Sequence, residues 1–446
     1  QFDPVSFVKS LTSRPGVYRM IDAEGTVIYV GKAKNLKKRV GSYFRSSGLT
    51  SKTQVMVAQI AAIETTVTHT ENEALILENN LIKELMPRYN VLLRDDKSYP
   101  YLLISGDDFP RLSVHRGAKR KKGKYFGPYP SAGAVRESLN LLQKLFPVRQ
   151  CEDSYYQNRS RPCLQYQIKR CTAPCVGLIS ESDYQKDVQH TIMFLEGKNQ
   201  QVMDELSNQM DVASQNLQFE QAASIRDKII SLRRVQERQY VSSMQGDSDV
   251  LAAIVRDGLA VVEVSFVRGG RNLGSKSYFP KGSSDLTESE LLTAFIPQYY
   301  LGKDVPAEIL LSHEVEDAQL LQDVLQTESG HKVILRKPQR GHATRWLQMA
   351  MTNAEISLTQ RISSRSNLMQ RFEMLQDALA LDELPKRIEC FDISHTRGER
   401  TVASCVVFGL EGAIKSDYRK FNIEGITAGD DYAAMNQALS RRFTRL

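Results

Sequence analysis

Two tyrosines, one arginine and one glutamate near the N-terminus have the side-chain types that phosphodiester hydrolysis requires. Tyr18 closes the run Gly-Val-Tyr, Tyr29 opens the run Tyr-Val-Gly eleven residues later, and Arg39 and Glu78 follow. Such hydrolysis needs a base near the attacking water, a cation beside the phosphoryl oxygens and a divalent metal ion. A phenol pair, a guanidinium and a carboxylate can fill these roles. The simpler alternative is a pair of core tyrosines beside a solvated basic helix.

The two tyrosines are expected to lie on neighbouring strands. Residues 15–20 and 26–30 are short β-type runs, and residues 22–25 between them contain Asp and Gly. This arrangement predicts a β-hairpin. Tyr18 and Tyr29 would then be placed side by side.

Two helices are expected to carry the remaining polar groups. The basic run Lys32–Arg39 leads into a helix, on which Tyr43 falls on the same face as Arg39. Residues 73–85 have the apolar periodicity of a helix that contains Glu78. Asn90 follows the proline that ends this helix.

The order of these residues matches the GIY-YIG nuclease pattern, and residues 29–39 and 87–100 resemble the UvrC family of bacterial excinuclease subunits. The resemblance extends over the whole chain. It implies a multidomain α/β and α protein with an N-terminal GIY-YIG α/β nuclease domain at 1–94. A Cys-rich metal knot, a UVR helical hairpin, an α/β unit and the start of a ribonuclease-H-like domain would follow.

The resemblance also implies roles for the N-terminal residues. Two tyrosines would contact the water and the scissile phosphate, one arginine would stabilise the phosphate, and one glutamate would bind a single Mg²⁺ or Mn²⁺. An asparagine would support the site, and a lysine and a third tyrosine would line it. In that order these residues are Tyr18, Tyr29, Arg39, Glu78, Asn90, Lys32 and Tyr43. Glu73 is a rival metal ligand on composition alone.

Composition limits the classes of protein that fit. The chain has 446 residues, a net charge of +7 and 41% hydrophobic residues, which suggests two to four domains and permits nucleic acid as a partner. It contains no run of 18 apolar residues, so we expect no membrane span. Residues 1–4 do not resemble a secretion signal, and six cysteines suit a cytoplasmic protein without a disulfide framework.

A dense basic stretch lies in residues 95–148, which we interpret as a connector. Residues 115–124 hold six Lys or Arg and no acid, and aromatic residues follow. Basic side chains beside aromatic rings suit a DNA backbone, although a solvated basic loop is an equal alternative. The expected DNA-binding residues are Arg116, Lys119, Arg120, Lys121, Lys122 and Lys124.

Four of the six cysteines fall in residues 149–180, at Cys151, Cys163, Cys171 and Cys175. Their spacing, C-x11-C-x7-C-x3-C, differs from that of a zinc ribbon. Thiolates bind zinc or iron–sulfur clusters, so the residues alone leave the metal open, and scattered buried thiols are the alternative. The resemblance to the UvrC family implies a 4Fe-4S cluster, with Zn²⁺ as the other possibility.

Residues 181–239 have helical periodicity, and residues from about 200 to 236 resemble the UVR motif. In the UvrC family this helical hairpin docks on a similar hairpin of the UvrB subunit. Phe219, at the turn, is the expected anchor because aromatic residues dominate such interfaces. A plain interdomain spacer is the alternative.

Two further α/β segments are expected. Residues 246–345 show no convergent carboxylates and are interpreted as a ribonuclease-H-like unit without a site. In residues 346–446, a helical linker precedes strands that resemble the second UvrC nuclease domain, with Asp392 as its first metal ligand and Asp431 also implicated. A satisfied buried acid is the alternative for Asp392. The chain stops at residue 446, so we expect a C-terminally truncated product and an incomplete second site.

The resemblance implies a DNA-repair endonuclease that is recruited by UvrB and nicks 3′ of a lesion with the N-terminal site and 5′ with the C-terminal one. The competing hypothesis is a non-catalytic adaptor that binds DNA and UvrB. A homing-type nuclease is a third possibility, but it gives no reason for the UVR-like hairpin.

Overall fold

The structure, a computed structural model, describes residues 3–44, 50–93, 99–238, 246–396, 400–410, 412–427 and 429–444. The chain forms two compact units, residues 1–355 and residues 356–446. Part of the second segment that resembles the UvrC family, residues 94–98, lies outside the described residues. Within the described residues, no helix is both long enough and apolar enough to cross a membrane.

The N-terminal domain is a three-stranded antiparallel sheet flanked by helices. The predicted hairpin is confirmed, with sheet order β2-β1-β3 and Tyr18 paired with Gly31 across the hairpin. The last helix, α4, begins after its cap Thr70 and ends before Met86, which adopts the left-handed conformation just before Pro87. The elements are α1 (Pro4–Ser10), β1 (Gly16–Ile21), β2 (Val27–Ala33), α2 (Leu36–Ser42), α3 (Ser51–Ala58), β3 (Ala62–Val67) and α4 (Glu71–Leu85).

The region predicted as a connector is instead folded. Its three strands form an antiparallel sheet of order β5-β4-β6, and Leu102, Leu112 and Leu142 are buried in the largest core cluster. The prediction failed because the basic residues dominate the local composition, while the apolar residues that make the sheet are spaced around them. The elements are β4 (Pro100–Ser105), β5 (Leu112–Arg116), β6 (Gly123–Phe126), α5 (Ala132–Leu145), α6 (Asp153–Gln157) and α7 (Leu164–Gln167).

Three helices follow, α8 (Glu181–Leu195), α9 (Asn199–Gln215) and α10 (Phe219–Arg238). The predicted helical hairpin is present, and its turn is made by Leu217 in the left-handed conformation. Val202 and Leu206 of α9 pack in the same core cluster as the preceding domain. The hairpin therefore buries its inner face within its own chain.

The central domain is a five-stranded sheet of order β11-β10-β7-β8-β9. Strands β7 to β9 are antiparallel neighbours, whereas β10 lies parallel to β7 and to β11. A capping box of Thr287 and Glu290 opens α11. The elements are β7 (Ser248–Arg256), β8 (Leu259–Arg268), β9 (Arg271–Tyr278), α11 (Glu288–Tyr300), β10 (Glu308–Leu311), α12 (Ala318–Ser329), β11 (Ile334–Arg336) and α13 (His342–Ala378).

The second unit holds a small sheet with one helix against it. Strand β13 pairs with β12, β14 and β15, all antiparallel, as predicted for the first strands of a ribonuclease-H-like fold. Its core includes Ala403, Val407 and Ala434. The elements are β12 (Arg387–Thr396), β13 (Arg400–Gly409), β14 (Gly412–Ala413), β15 (Arg419–Ile423) and α14 (Asp431–Phe443).

Candidate active site

Three tyrosines form a cluster beside the N-terminal hairpin. The ring centroids of Tyr18 and Tyr29 are 6.1 Å apart, and those of Tyr18 and Tyr43 are 5.9 Å apart. The hydroxyls of Tyr18 and Tyr43 are 2.8 Å apart and hydrogen-bonded. A Cβ atom at Gly31 would lie 2.4 Å from the Tyr18 hydroxyl oxygen, so only glycine leaves room for this phenol. This contact gives a steric reason for the glycine of the Tyr-Val-Gly run.

Arg39 faces this cluster from α2. Its guanidinium carbon lies 5.5 Å from the centroid of the Tyr43 ring. The nearby Tyr18 phenol raises the pKa of Arg39 above its usual range. Burial raises the pKa of Tyr18, and the neighbouring Tyr43 does the same for Tyr29. At neutral pH Tyr18 and Tyr29 are therefore neutral phenols beside a charged guanidinium.

Glu78 projects from α4 towards the same hairpin. The backbone N–H of Lys32 donates a hydrogen bond to Glu78 Oε1 over 2.7 Å. Burial raises the pKa of Glu78 to about 7, because a low-dielectric site disfavours the charged carboxylate. Within the described residues, Glu78 forms no ion pair, so its charge is available to a metal cation.

Glu73, the rival metal ligand, has a different role in this structure. It is exposed in the first turn of α4, and its carboxylate accepts a hydrogen bond from the backbone N–H of His69 over 2.9 Å. It therefore helps to cap the helix.

Asn90 holds the segment after α4 against the hairpin. Its side-chain amide donates to Val30 O and its side-chain oxygen accepts from Val30 N, both over 2.8 Å. The side chain is buried. Asn90 thus fixes the strand that carries Tyr29.

A cavity of about 940 Å³ joins most of these side chains. Tyr18, Tyr29, Lys32, Arg39, Glu78 and Asn90 all line it, whereas Tyr43 stands behind Tyr18. This arrangement places the phenols, the guanidinium and the partly buried carboxylate around one space. It has room for a phosphodiester and a hydrated ion.

The opposite wall of the cavity comes from the central domain and was not foreseen from the sequence. Glu290, Gln298 and Asp317 line the cavity from α11 and the loop before α12. The Lys32 ammonium contacts the carboxylate of Asp317 at 2.8 Å and that of Glu71 at 3.4 Å. No local pattern signals the contact between Lys32 and Asp317, because these residues are 285 positions apart in sequence.

The predicted DNA-binding residues lie on or between β5 and β6. Two of them are paired with acids in the structure, Lys119 with Asp304 and Lys124 with Glu196. The others are exposed and form no ion pair with any described residue: Arg116, Arg120, Lys121 and Lys122. The charge available to a phosphate backbone is thus smaller than the sequence suggested.

The four clustered cysteines are close neighbours but do not form a compact set. Cys151, Cys163 and Cys171 line one cavity of about 740 Å³ together with three arginines. Burial, assisted by the neighbouring Cys151, raises the pKa of the Cys171 thiol to about 11. In the described part of the chain, no three or more His, Cys, Asp or Glu residues are placed to hold a metal ion. The predicted cluster stays a prediction.

Phe219 is the first residue of α10 and is 64% exposed. Leu217 and Val212 near the same turn are also exposed. Three apolar side chains therefore face solvent at this end of the helical hairpin.

The two acids of the second unit are both at its surface. Asp392 lies in the middle of β12, opposite Ser404 on β13, and is exposed. Asp431 is the first residue of α14, whose cap is Asp430. Asp392 is therefore not the buried, satisfied acid of the alternative interpretation.

The sequence analysis also missed a buried acid in the central domain. Asp249, on β7, forms an ion pair of 2.7 Å with Arg268 and accepts a hydrogen bond of 2.7 Å from the Tyr300 hydroxyl. All three side chains are buried. Their charges are compensated internally, which makes this a structural network.

Comparison with family models divides the chain into five matched segments. These are the "UvrC-like GIY-YIG domain" at residues 14–91, the "UvrC/Cho excinuclease, middle domain" at 99–194, the "UvrB/uvrC motif" at 200–235, the "UvrC Ribonuclease H-like domain" at 247–361 and the "UvrC RNAse H endonuclease domain" at 376–446. They confirm the predicted fold class, apart from the Cys-rich knot.

A crystal structure of the GIY-YIG N-terminal endonuclease domain of UvrC from Thermotoga maritima, bound to its catalytic divalent cation magnesium, is also similar. It is 37% identical, covers 20% of this chain and 99% of that chain, and has a TM-score of 0.19.

Relatives that match this chain over its whole length give the most direct family assignment. The UvrABC system protein C of Nitrosococcus oceani is 59% identical over 444 residues, covering 100% of this chain and 74% of that protein. Its counterparts in Alkalilimnicola ehrlichii and Pseudomonas putida are 58% and 56% identical over all of this chain and 73% and 74% of theirs. The resemblance drawn from the sequence is confirmed, and the chain belongs to the UvrC family.

Proposed function

We propose that this chain is the incision subunit of a bacterial nucleotide excision repair nuclease and that its N-terminal cavity cuts DNA 3′ of a lesion. The observation that supports this most directly is the single cavity shared by Tyr18, Tyr29, Arg39 and Glu78. A non-catalytic adaptor would have no need for a partly buried carboxylate whose charge has no ion-pair partner among the described residues, because removing such a charge from water is costly.

Glu78 is the residue that would hold Mg²⁺ or Mn²⁺. Hard divalent cations prefer carboxylate oxygens and keep several waters, so a site with one carboxylate and a roomy cavity suits Mg²⁺. When bound, the ion supplies Lewis-acid polarisation of the phosphoryl oxygen and a more acidic water. The Lys32 N–H bond to Oε1 orients the carboxylate for this role.

The other side chains would orient the reactants and stabilise charge. Arg39 would hold the phosphoryl oxygens, because a guanidinium pairs with phosphate through two hydrogen bonds. The hydroxyls of Tyr18 and Tyr29 would position the attacking water and the scissile phosphate, and Tyr43 would orient Tyr18 through their hydrogen bond. Lys32 would supply a second positive charge to the phosphate once its ion pair with Asp317 is broken.

The direct test compares two isosteric substitutions on the same helix. Glu78→Gln is expected to lower the rate of 3′ nicking about 100-fold to 1,000-fold on a single-lesion duplex to which UvrB has been bound. DNA binding should be retained. Glu73→Gln is the matched control, because its side chain lies in the first turn of α4 and is exposed. Full nicking by Glu78→Gln would remove the assignment.

The exposed apolar end of the helical hairpin supports a role in docking to UvrB, with Phe219 as anchor. Exposed aromatic side chains near the centre of an interface contribute much of its binding energy. Phe219→Ala should weaken capture of UvrB, while Tyr155→Ala, an exposed aromatic outside the hairpin, should not. Equal capture by both variants would exclude this role. DNA and UvrB as partners are consistent with a cytoplasmic location.

We also propose a 4Fe-4S cluster at Cys151, Cys163, Cys171 and Cys175. Three of these thiols share a cavity, and a four-iron cluster needs ligands spaced more widely than a single Zn²⁺ does. Protein purified without oxygen should then be brown and contain about four irons per chain. A colourless zinc protein would contradict this.

The second unit would contribute Asp392 as a metal ligand and Asp431 as a further acid for the cut on the 5′ side. The exposure of Asp392 on its strand supports this. A 5′ nick that survives in Asp392→Asn would rule the assignment out.

A further inference from the structure

A basic cavity lies in the central domain, where its edge strand β11 leads into α13. Its volume is about 310 Å³, and it is separate from the tyrosine cavity and from the cysteine cavity. None of its lining residues is acidic. They are Gln339, Arg340, Gly341, His342, Thr344, Arg345 and Gln348.

The surrounding sequence is also basic. Residues 331–354 contain five Lys or Arg, two His and no Asp or Glu. Arg340 and Arg345 are exposed and form no ion pair with any residue that the structure describes. Their charges are therefore not neutralised within the described chain.

The start of α13 adds backbone donors to these charges. Gly341 precedes the helix with a φ of 82° and has no side chain to cap it, and the first turn contains no acid. The first N–H groups of a helix lack intrahelical partners and carry partial positive charge, which favours phosphate groups.

A third feature is an unsatisfied hydroxyl in the same wall. Thr344 Oγ1 has less than 1 Å² of accessible surface and no hydrogen-bond partner. Enclosed hydroxyls without partners are rare in folded proteins, since water no longer compensates them. Because Thr344 lines the cavity, an anion bound there is a candidate partner for this hydroxyl.

We propose that this cavity, the α13 anion pocket, binds one backbone phosphate of DNA at a distance from the nuclease site. The proposal rests on the proposed function, because it takes DNA as the substrate. Lys332 and Lys337 are exposed on the same segment but do not line the cavity. Such flanking cations can meet neighbouring phosphates of a polymer, whereas a single small anion would use only the pocket. This favours DNA over free phosphate.

The test measures DNA binding in the Glu78→Gln background, so that it does not depend on cutting. The double variant Arg340→Ala/Arg345→Ala should weaken binding of an undamaged duplex about tenfold and lower the slope of log K against log salt by roughly one to two. Gln339→Glu keeps the shape of the pocket and adds one negative charge, so it should weaken binding as well. Gln201→Glu, an exposed position on α9, is the charge-matched control and should have little effect.

Melting temperatures of all variants identify any loss of fold, and if the double variant is unfolded, Gln339→Glu decides the result. Unchanged DNA affinity in the folded pocket variants overturns the proposal. So does an equal effect of Gln201→Glu, which would indicate net charge alone.

Calorimetry with inorganic phosphate tests whether the pocket binds a free anion instead of DNA. Phosphate binding that the pocket variants abolish, with unchanged DNA affinity, would assign the pocket to a free anion. Nicking by the wild-type chain is scored separately, so its failure would contradict the proposed function and leave the binding result intact.

Discussion

The nuclease domain and the central domain differ in how they compensate the charge of one of their carboxylates, Glu78 in the first and Asp249 in the second. Asp249 of the central domain is neutralised by Arg268 and Tyr300, and no cavity reaches it among those described. Glu78 accepts one backbone hydrogen bond, lines a large cavity and has a pKa raised to about 7. A buried acid whose charge is compensated stabilises a fold, whereas one left uncompensated beside a cavity is suited to bind a cation.

The largest effect is expected in the central domain. Arg268→Ala leaves Asp249 buried without its counter-charge, so the free energy of unfolding should fall by about 3–5 kcal/mol. Denaturant unfolding measures this. The double variant Arg268→Ala/Asp249→Ala removes both charges and should recover part of the loss. Unchanged stability in Arg268→Ala would mean that Tyr300 alone satisfies Asp249, and the contrast with Glu78 would weaken.

Removing the Arg39 guanidinium of the nuclease domain should lower the rate of DNA cleavage and leave the fold intact. Arg39→Ala is expected to lower the rate of nicking about 100- to 1,000-fold, because the charge on the phosphoryl oxygens loses its partner. The melting temperature should change little. Arg19→Ala is the control, since Arg19 lies in the same domain and pairs with Glu64 at the surface. A normal rate in Arg39→Ala would contradict the proposed site.

The smallest expected effect is a pH dependence of the nicking rate, which follows from the uncompensated charge of Glu78. Below pH 7 the folded protein keeps the Glu78 carboxyl protonated, so protons compete with the metal. At limiting Mg²⁺ the rate should fall up to about tenfold per pH unit below 7 and level off above it. Raising the Mg²⁺ concentration should move the midpoint to lower pH. A flat profile from pH 5.5 to 8 at limiting metal would show that Glu78 does not bind the ion.

Local patterns in the sequence were enough for the hairpin, for most helices and for the set of candidate site residues. Tyr18 and Tyr29 lie on paired strands, and Glu78 lies on the predicted helix, because alternation and helical periodicity are short-range signals. The same signals placed Asp392 on a strand.

Contacts between distant segments escaped this reasoning. The sequence could not show that Lys32 meets Asp317 or that Lys119 meets Asp304, because no local spacing encodes either pair. The folded sheet in the supposed connector was missed for a related reason. Its strands pair with one another and pack against α5, and the basic turn that dominates the composition contributes to neither.

Gln298 of α11 donates to the backbone oxygen of Val91 over 2.9 Å and accepts from the backbone nitrogen of Leu93 over 3.0 Å. The last residues of the nuclease domain thus find their partners about 200 positions later. A fragment cut after residue 93 would keep every candidate side chain of the first site yet lose one wall of its cavity. A fragment that ends at residue 93 should therefore retain all the candidate catalytic side chains, but its cavity should be open to bulk water on one side.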